Sequence, residues 1–407
     1  MTSIPRVGLE DIKRAQELLQ GVAIRTPMEE SRWLSGLADG PIHMKCENLQ
    51  RTGSFKTRGA YTRISGLTEE ERSRGVVAAS AGNHAQGVAL AASMLGIRST
   101  VFMPEGAPIP KYNATRGYGA EVIFRGQVLE DSLAAATEFA ETTGAVLIHP
   151  FNHPDIVAGQ GTCGLEILEQ APDVRTVLVP TGGGGLIAGI ATAIKALRPD
   201  VHIIGVQAEG AAAYPASLEA GHPITLPSMS TMADGIAVGR PGEIPLAAVA
   251  EYVDQIVTVS EESISRALVL LLERAKMVVE PAGAVGVAAI LDRPHDIETP
   301  AVVVLSGGNI DPLLLGKVIR HGMSAAGRYL QIRVRIPDRP GGLARLLGDL
   351  ARMGANVLEV THERLSTTLS VDEVEVSLQL ETRGPTHAES VVGELTESGY
   401  RVDPVAG

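Results

Sequence analysis

The sequence predicts two successive folding units, an α/β unit built on a parallel sheet and then a smaller α+β unit. Over residues 1–325, short β-branched apolar runs alternate with helical stretches, a pattern typical of a parallel sheet covered by helices on both faces. After residues 326–329, apolar and polar residues alternate one by one, which favours strands with a single covered face. A chain of 407 residues is long enough for both units.

The first unit is predicted to contain strands of continuous apolar character, at 76–80, 99–104, 120–124, 145–150, 176–180, 202–207 and 301–308. Helices are predicted over 57–66, 84–96, 128–141, 185–197 and 261–275. Several strands run into glycine-rich turns that open helices. Because ligands of open α/β sheets bind outside the carboxyl ends of the strands, we expect a binding site at these turns.

The second unit is predicted to have the element order βαββαβ. Its strands are expected at 329–338, 356–365, 371–380 and 400–404, and its helices at 341–354 and 385–398. The first of these helices is amphipathic and ends at Gly354, a residue type that commonly follows a helix. This order is that of a separate α+β domain of ferredoxin-like type.

Composition excludes several classes of protein. A general nucleic-acid binder would have a basic surplus and more aromatic residues than this chain, which has a net charge of −12 and 3% aromatic residues. The negative charge also disfavours binding to anionic membranes. The two cysteines, Cys46 and Cys163, are too few for a disulfide framework or a thiolate metal site. The N-terminus lacks a signal-like apolar region, and no apolar run reaches the ~18 residues of a membrane span, so we expect a cytoplasmic protein.

The segment Ser54-Phe55-Lys56 stands just before a predicted helix. A lysine at a helix start meets the positive end of the helix dipole, which lowers its pKa and favours the neutral amine that Schiff-base chemistry needs. The chain has only seven lysines, so such candidates are few. The alternative is an ordinary solvated lysine.

The segment SAGNHAQG over 80–87 joins a strand end at Ser80 to a helix. Backbone N–H groups at such a turn can bind an anion, for example a substrate carboxylate, and the Asn83 amide can donate to a cofactor oxygen. The alternative is that Asn83 simply caps the helix.

The segment TGGGGLIAGI over 181–190 follows a predicted strand. Four consecutive glycines cost backbone entropy and have little structural benefit, so we favour close backbone approach to a phosphate. The alternative is an ordinary tight turn. The segment lacks the Lys-Ser/Thr of a P-loop and the spacing of a dinucleotide fingerprint.

Two further turns point towards the same crevice. Ser306 in LSGGNID ends a strand, and Glu280 in VVEPAGAVGVAA precedes a proline at a helix start. Simple capping of the strand end is the alternative for Ser306, and a favourable first-turn charge is the alternative for Glu280.

Together, S-F-K, S-x-G-N-H, the tetraglycine loop, E-P-A-G-A and S-G-G-N resemble, in order, the motifs of the fold-type-II (tryptophan synthase β-like) pyridoxal-phosphate enzymes. The closest likeness is to the threonine dehydratases (threonine ammonia-lyases), and it covers residues 5–325. The resemblance implies deamination of L-threonine and L-serine to 2-oxobutanoate or pyruvate, in isoleucine biosynthesis or threonine catabolism. The alternatives are a serine racemase or another hydroxyamino-acid dehydratase of this fold, or a non-catalytic amino-acid sensor.

The resemblance also implies a role for each motif. Lys56 would form the Schiff base with pyridoxal phosphate, Phe55 would lie beside its ring, Asn83 would bind its 3′ oxygen, and Ser306 would face its pyridine nitrogen. The phosphate would be held by Gly182, Gly183, Gly184, Gly185 and Leu186. The substrate carboxylate would lie against Ser80, Ala81, Gly82 and His84. A neutral hydroxyl at the pyridine nitrogen cannot keep a proton there, which favours β-elimination over transamination.

Two departures from related enzymes separate the alternatives. Serine racemases carry a second serine where this chain has Ala81, so racemisation is disfavoured. Racemase-like members also bind a divalent cation; Glu209 and Ala213 match that site, but Pro215 replaces its aspartate, and we predict no metal.

The second unit resembles an ACT regulatory domain, because IPDRPGGLARLL over 336–347 matches the D-x-P-G-x-L turn at which ACT domains bind amino acids. The resemblance implies an amino-acid effector near Pro340, Gly341, Gly342 and Asn356, and a homo-oligomer (dimer or tetramer), since such sites form between two copies. It divides the chain into a catalytic domain over 1–327, with a smaller subdomain at roughly 50–150, and a regulatory domain over 328–407. A plain packing or dimerisation domain is the alternative.

Overall fold

A computed structural model describes residues 4–325, 327–363 and 372–404. Its internal contacts divide the chain into two compact units, Met1–Asp311 and Pro312–Gly407. Each unit has its own sheet system and its own hydrophobic core.

The strands of the first unit are β1 Met28–Glu30, β2 Ile42–Lys45, β3 Val76–Ala79, β4 Ser99–Met103, β5 Glu121–Phe124, β6 Val146–Leu147, β7 Thr176–Pro180, β8 His202–Ala208, β9 Gln255–Val259 and β10 Ala301–Val304. Its helices are α1 Leu9–Leu18, α2 Arg32–Leu37, α3 Lys56–Ser65, α4 Glu69–Arg74, α5 Asn83–Met94, α6 Ile109–Gly117, α7 Leu129–Thr143, α8 Pro154–Gln170, α9 Gly185–Leu197, α10 Tyr214–Ala220, α11 Glu243–Tyr252, α12 Glu261–Leu270 and α13 Pro281–Asp292.

The first unit contains two sheets, which confirms the predicted α/β class; the strands of the smaller sheet lie within 76–147, inside the range of roughly 50–150 expected for a smaller subdomain. The larger sheet has the order β1-β2-β10-β7-β8-β9, and only β1 runs antiparallel to its neighbour. The smaller sheet has the order β5-β4-β3-β6 and is wholly parallel. Strands such as β7 and β10 are buried along their whole length, as expected for parallel strands covered on both faces.

Three predicted elements differ in the structure: two strands are shorter, and one helix changes its type before its end. The strand expected over 145–150 is reduced to β6, because the His149 ring accepts hydrogen bonds from the backbone of Phe151 and Asn152 and turns the chain. The strand expected over 301–308 ends at Val304, after which Gly307 bridges to Ser54. The helix expected over 261–275 is α12 followed by one wide turn of π-helix.

The second unit contains α14 Pro312–Ala325, β11 Tyr329–Pro337, α15 Gly342–Arg352, β12 Asn356–Glu363, β13 Glu373–Glu381, α16 Pro385–Glu397 and β14 Arg401–Pro404. The antiparallel sheet has the order β12-β13-β11-β14, which confirms the predicted βαββαβ unit of ferredoxin-like type. Its core is formed by the alternate apolar residues of the strands and by the apolar stripes of α15 and α16.

The start of the second unit differs from the sequence prediction. The predicted boundary at 326–329 lies at the end of α14, whereas α14 groups with the second unit because it contacts β11. The predicted strand ends at 364–365 and 371 lie outside the described residues.

Candidate active site

One cavity of about 550 Å³ lies at the carboxyl ends of strands from both sheets of the first unit. The structure brings together there every residue that the sequence proposed for the catalytic, cofactor and substrate roles: Phe55, Lys56, Ser80, Ala81, Gly82, Asn83, His84, Gly182, Gly183, Gly184, Gly185, Leu186 and Ser306. The volume is within the ~300–1,000 Å³ of typical small-molecule pockets. The separate roles of these residues stay predictions.

Lys56 is the first residue of α3, and its Nζ donates to the Pro150 carbonyl oxygen at 3.1 Å. The same nitrogen lies 5.1 Å from the centre of the Phe55 ring. Loss of hydration in the cavity lowers the pKa of Lys56 to about 8, against an opposing effect of the Glu280 carboxylate. The sequence predicted the direction of this shift from the helix dipole, but desolvation is the main cause. A Cβ at Gly87 would lie 3.1 Å from the Lys56 carbonyl carbon, so this glycine lets α5 pack against α3.

A buried ionic network anchors α3 below the cavity. The Arg58 guanidinium, two residues after Lys56, contacts Glu47 at 2.8 Å and Glu166 of α8 at 2.7 Å, and Lys45 contacts Glu166 at 2.6 Å. Arg58 and Glu47 are both almost fully buried, so neither charge is tolerable without the other. The network therefore stabilises the position of the helix that carries Lys56.

The glycine loop joins β7 to α9. Neighbouring side chains leave no room for a Cβ at two of its positions, which the sequence did not predict. A Cβ at Gly184, whose φ is +96°, would lie 1.7 Å from the Tyr214 hydroxyl oxygen. A Cβ at Gly183 would lie 2.3 Å from the Phe151 ring. The expectation that consecutive glycines have little structural benefit is therefore wrong. The first N–H groups of α9 have no partner within the helix, and they open the positive end of a 13-residue helix to the cavity.

Asn83 is the first residue of α5, not its cap, and its side chain is engaged elsewhere. Its Nδ2 donates to Glu280 Oε1 at 2.6 Å, and its Oδ1 accepts from Asn309 Nδ2 at 2.8 Å. Glu280 is buried, and burial together with the Asp234 charge raises its pKa to about 7, against the opposing effects of Lys111, the Asn83 hydrogen bond and Lys56. Sequence reasoning left Glu280 open and missed Asn309, although both stand inside motifs that it had singled out.

The residues expected around the substrate carboxylate follow β3. The Gly82 N–H donates to Ser80 Oγ at 3.1 Å, which tightens the turn. His84 Nε2 lies 2.7 Å from the Ile148 carbonyl oxygen, and burial followed by the Lys56 charge lowers the pKa of His84 to about 3. The imidazole is therefore neutral and donates to Ile148, so it anchors α5 and carries no exchangeable charge at neutral pH.

An ion pair of Lys111 and Asp234 crosses the cavity and was not predicted. Lys111 on α6 lies beside the smaller sheet, and Asp234 stands on a 3₁₀ turn between β8 and β9 of the larger one. Their side chains meet at 2.6 Å. No motif links two residues 123 positions apart, so only the fold reveals the pair.

Glu209, Ala213 and Pro215, the positions compared with a cation site, lie on a 3₁₀ turn after β8 and at the start of α10. Within residues 4–325, 327–363 and 372–404, no group of three His, Cys, Asp or Glu side chains is placed to hold a metal ion. In the same part of the chain, no helix is long and apolar enough to cross a membrane.

The fold and the cavity define an α/β enzyme whose ligand site lies at strand carboxyl ends. Residues 19–307 match the family described as pyridoxal-phosphate dependent enzymes. The chain is 49% identical over 396 residues to the L-threonine ammonia-lyase of Thermotoga maritima, covering 97% of this chain and 99% of that protein. It therefore belongs to the family of pyridoxal-phosphate dependent enzymes, which confirms the family that its motifs resemble.

Solved structures agree with this family. One is the processed form of threonine deaminase isoform 2 from Solanum lycopersicum, with a TM-score of 0.74, 37% identity and coverage of 79% of this chain and 91% of that chain. Another is maize serine racemase, with a TM-score of 0.74, 36% identity and coverage of 79% and 99%. The residues present fit the cofactor, because a lysine of lowered pKa and the open N–H groups of α9 line one cavity.

Proposed function

We propose that this protein is an L-threonine ammonia-lyase that also accepts L-serine, and that it forms ammonia with 2-oxobutanoate or pyruvate. One observation carries the proposal: Lys56, Asn83, the glycine loop and Ser306, inferred from separate motifs, all line one cavity of about 550 Å³. The relatives named L-threonine ammonia-lyase and threonine deaminase support the choice of substrate.

In this proposal the cofactor, when bound, withdraws electrons from the α-carbon of the amino acid. Lys56 Nζ takes the α-proton, and its lowered pKa increases the neutral fraction of the amine near neutral pH. The N–H groups of the glycine loop would hold the phosphate, and the Ser306 hydroxyl would be a neutral partner for the ring nitrogen. Phe55 would lie beside the ring, and the turn from Ser80 to Gly82 would receive the substrate carboxylate.

Elimination is favoured over racemisation by Ala81. A racemase needs a second acid/base group that delivers a proton to the opposite face of the α-carbon, and a methyl side chain has no proton to exchange. Two nearby groups of the cavity do not replace it in this proposal, because Lys111 is paired with Asp234 and His84 is held by Ile148.

A substrate panel on the full chain with added pyridoxal phosphate tests the proposal. We expect a yellow protein with the highest kcat/KM on L-threonine, lower values on L-serine, and little turnover of D-serine or 3-hydroxyaspartate. Faster formation of D-serine than of pyruvate would show a racemase. A colourless protein that binds amino acids without turnover would show a sensor and overturn the assignment.

We further propose that residues 328–407 form an amino-acid-binding ACT domain. The expected effector residues lie on two turns: Gly341, with φ +89°, opens α15, and Asn356 begins β12 and donates to Glu381 at 3.2 Å. Pro340 and Gly342 flank Gly341. Isothermal titration of the full chain with isoleucine and with valine tests whether either amino acid binds. The threonine saturation curve, measured with and without each of them, tests whether binding changes activity. Feedback inhibition by isoleucine would support a role in cytoplasmic isoleucine biosynthesis, and no binding would leave threonine catabolism.

We propose a homo-oligomer on the evidence of β12. Among the described residues it is an edge strand of its sheet, and it exposes Leu358 and Val360 to 50% and 37%. An exposed edge with apolar side chains is a surface that pairs readily with another chain. Light scattering should give the mass of a dimer or tetramer, and a monomer at micromolar concentration would contradict the proposal.

A further inference from the structure

Asn309 joins three segments of the cavity wall that are distant in sequence. Its Nδ2 donates to the Thr52 carbonyl oxygen at 2.6 Å and to Asn83 Oδ1 at 2.8 Å. A backbone carbonyl oxygen can only accept, so the amide nitrogen of Asn309 must face Thr52. The orientation of the Asn309 amide is therefore determined by the backbone of the turn that leads to Lys56.

The orientation of Asn83 follows from that of Asn309. Since Asn309 presents N–H groups, the atom of Asn83 that faces it must be the oxygen, and the Asn83 nitrogen faces Glu280 at 2.6 Å. An amide nitrogen carries two hydrogens, and Glu280 takes one. The second N–H of Asn83 finds no acceptor among the described residues, and Asn83 lines the cavity.

The backbone around these side chains is shaped to let them meet. Thr52 and Gly53 both have positive φ, at +63° and +70°, and a Cβ at Gly53 would lie 2.5 Å from Asn309 Oδ1. A Cβ at Gly307 would lie 2.2 Å from Glu280 Oε1. A non-glycine residue in the left-handed region is costly and persists where the surroundings demand it. The turn therefore maintains the contact between Thr52 and Asn309.

We propose that Asn309 and Glu280 are positioning residues that set the amide orientation of Asn83, so that its remaining N–H points to the ring oxygen of the cofactor. This rests on the proposed function, because it assumes that the cavity binds pyridoxal phosphate with Asn83 at that oxygen. The reversed amide would place Asn83 Oδ1 against the Glu280 carboxylate and the ring oxygen, which are both acceptors. The two flanking side chains thus act on the cofactor only through Asn83.

The test is Asn309→Asp, which keeps the shape of the side chain but replaces its donor by an acceptor. We expect the Asn83 amide to reverse and the visible absorption band of the cofactor to move. The Kd for pyridoxal phosphate should rise about tenfold, which corresponds to the loss of one hydrogen bond to a charged group. The matched control is Asn48→Asp. Asn48 is also buried and donates to a backbone carbonyl, that of Val278 at 3.1 Å, but it lies outside the chain of hydrogen bonds to Asn83.

Rescue at the other flank keeps the proposal testable if Asn309→Asp does not fold. Glu280→Gln keeps an acceptor for the Asn83 N–H and should retain the wild-type band, whereas Glu280→Ala should move it. Unchanged Kd and absorption in Asn309→Asp, or equal losses in Asn309→Asp and Asn48→Asp, would overturn the inference. Failure of the wild-type chain to bind pyridoxal phosphate would instead contradict the proposed function.

Discussion

Two strand–glycine–helix turns with nearly the same backbone conformation differ in what surrounds them. Gly184 before α9 has φ +96°, and Gly341 before α15 has φ +89°. A Cβ at Gly184 would collide with Tyr214 and Pro245, whereas no described atom lies within 4 Å of a Cβ at Gly341. The first turn is part of a packed wall, and the second is an open surface. A glycine motif therefore indicates a turn, and only the packing shows how strongly the position is constrained.

The same contrast holds for buried carboxylates. Glu280 in the first unit is desolvated, and nearby positive charges and a hydrogen bond from Asn83 offset only part of this, so its pKa is raised to about 7. In the second unit, the pKa of Asp349 is lowered, first by the hydrogen bond from Tyr400 and then by Arg352. The ionised Glu280 in the cavity therefore lowers the stability of the fold, whereas the ionised Asp349 of the second unit raises it. This is the expected difference between a functional site and a structural contact.

The largest effect is expected for Lys56→Ala. Removal of the amine should abolish the visible cofactor band and lower kcat/KM on L-threonine by at least about 10³-fold, since both attachment and proton transfer are lost. Absorption spectra and steady-state kinetics measure this. Lys13→Ala is the control, because Lys13 is exposed and pairs with the exposed Glu10 on α1. Retained turnover in Lys56→Ala would contradict the assignment.

Whether a feature of the site could be predicted from the sequence depends on how far apart in the chain the interacting residues lie. Lys56, Asn83, the glycine loop and Ser306 were predictable because each lies in a local turn between a strand and a helix, and parallel strands bring such turns to one edge. Asn309, and the pair of Lys111 with Asp234, depend on packing between distant segments, which no local pattern encodes. The family resemblance implied a smaller subdomain at roughly 50–150, but the strand order of the two sheets was not predicted, since strand pairing is a long-range choice.

The variants Gly184→Ala and Gly341→Ala test the difference between the two turns. Both variants incur the cost of positive φ, on the order of 1–2 kcal/mol. Only Gly184→Ala adds a collision, which should cost about 1–3 kcal/mol more and weaken cofactor binding, because Tyr214 is fully buried and cannot move aside. Thermal unfolding and cofactor titration measure both effects. Equal destabilisation by the two variants would show that packing around the loop is not what requires glycine.

Glu280→Gln should change the pH dependence of stability in the cofactor-free protein. The folded pKa of Glu280, about 7, lies above the ordinary value of 4.5, so the folded state binds the proton more tightly. Stability from this group is present below pH 4.5 and is lost as the pH rises through 7. The variant has no proton to lose, so its Tm advantage over wild type should be larger at pH 8 than at pH 5. A constant Tm difference across this range would contradict a raised pKa.

Asp349→Asn should show the opposite sign and a smaller effect. Asp349 accepts a hydrogen bond from the Tyr400 hydroxyl at 2.6 Å and pairs with Arg352, so its folded pKa lies below the ordinary value of 3.8. Its stabilising contribution is present above that pH and is lost as the pH falls through the lower folded value. The variant should therefore be less stable than wild type at pH 7, and the difference should shrink towards pH 3. Because Tyr400 lies on the same unit, Tyr400→Phe should reproduce part of the loss without removing the charge, which separates the hydrogen bond from the ion pair with Arg352.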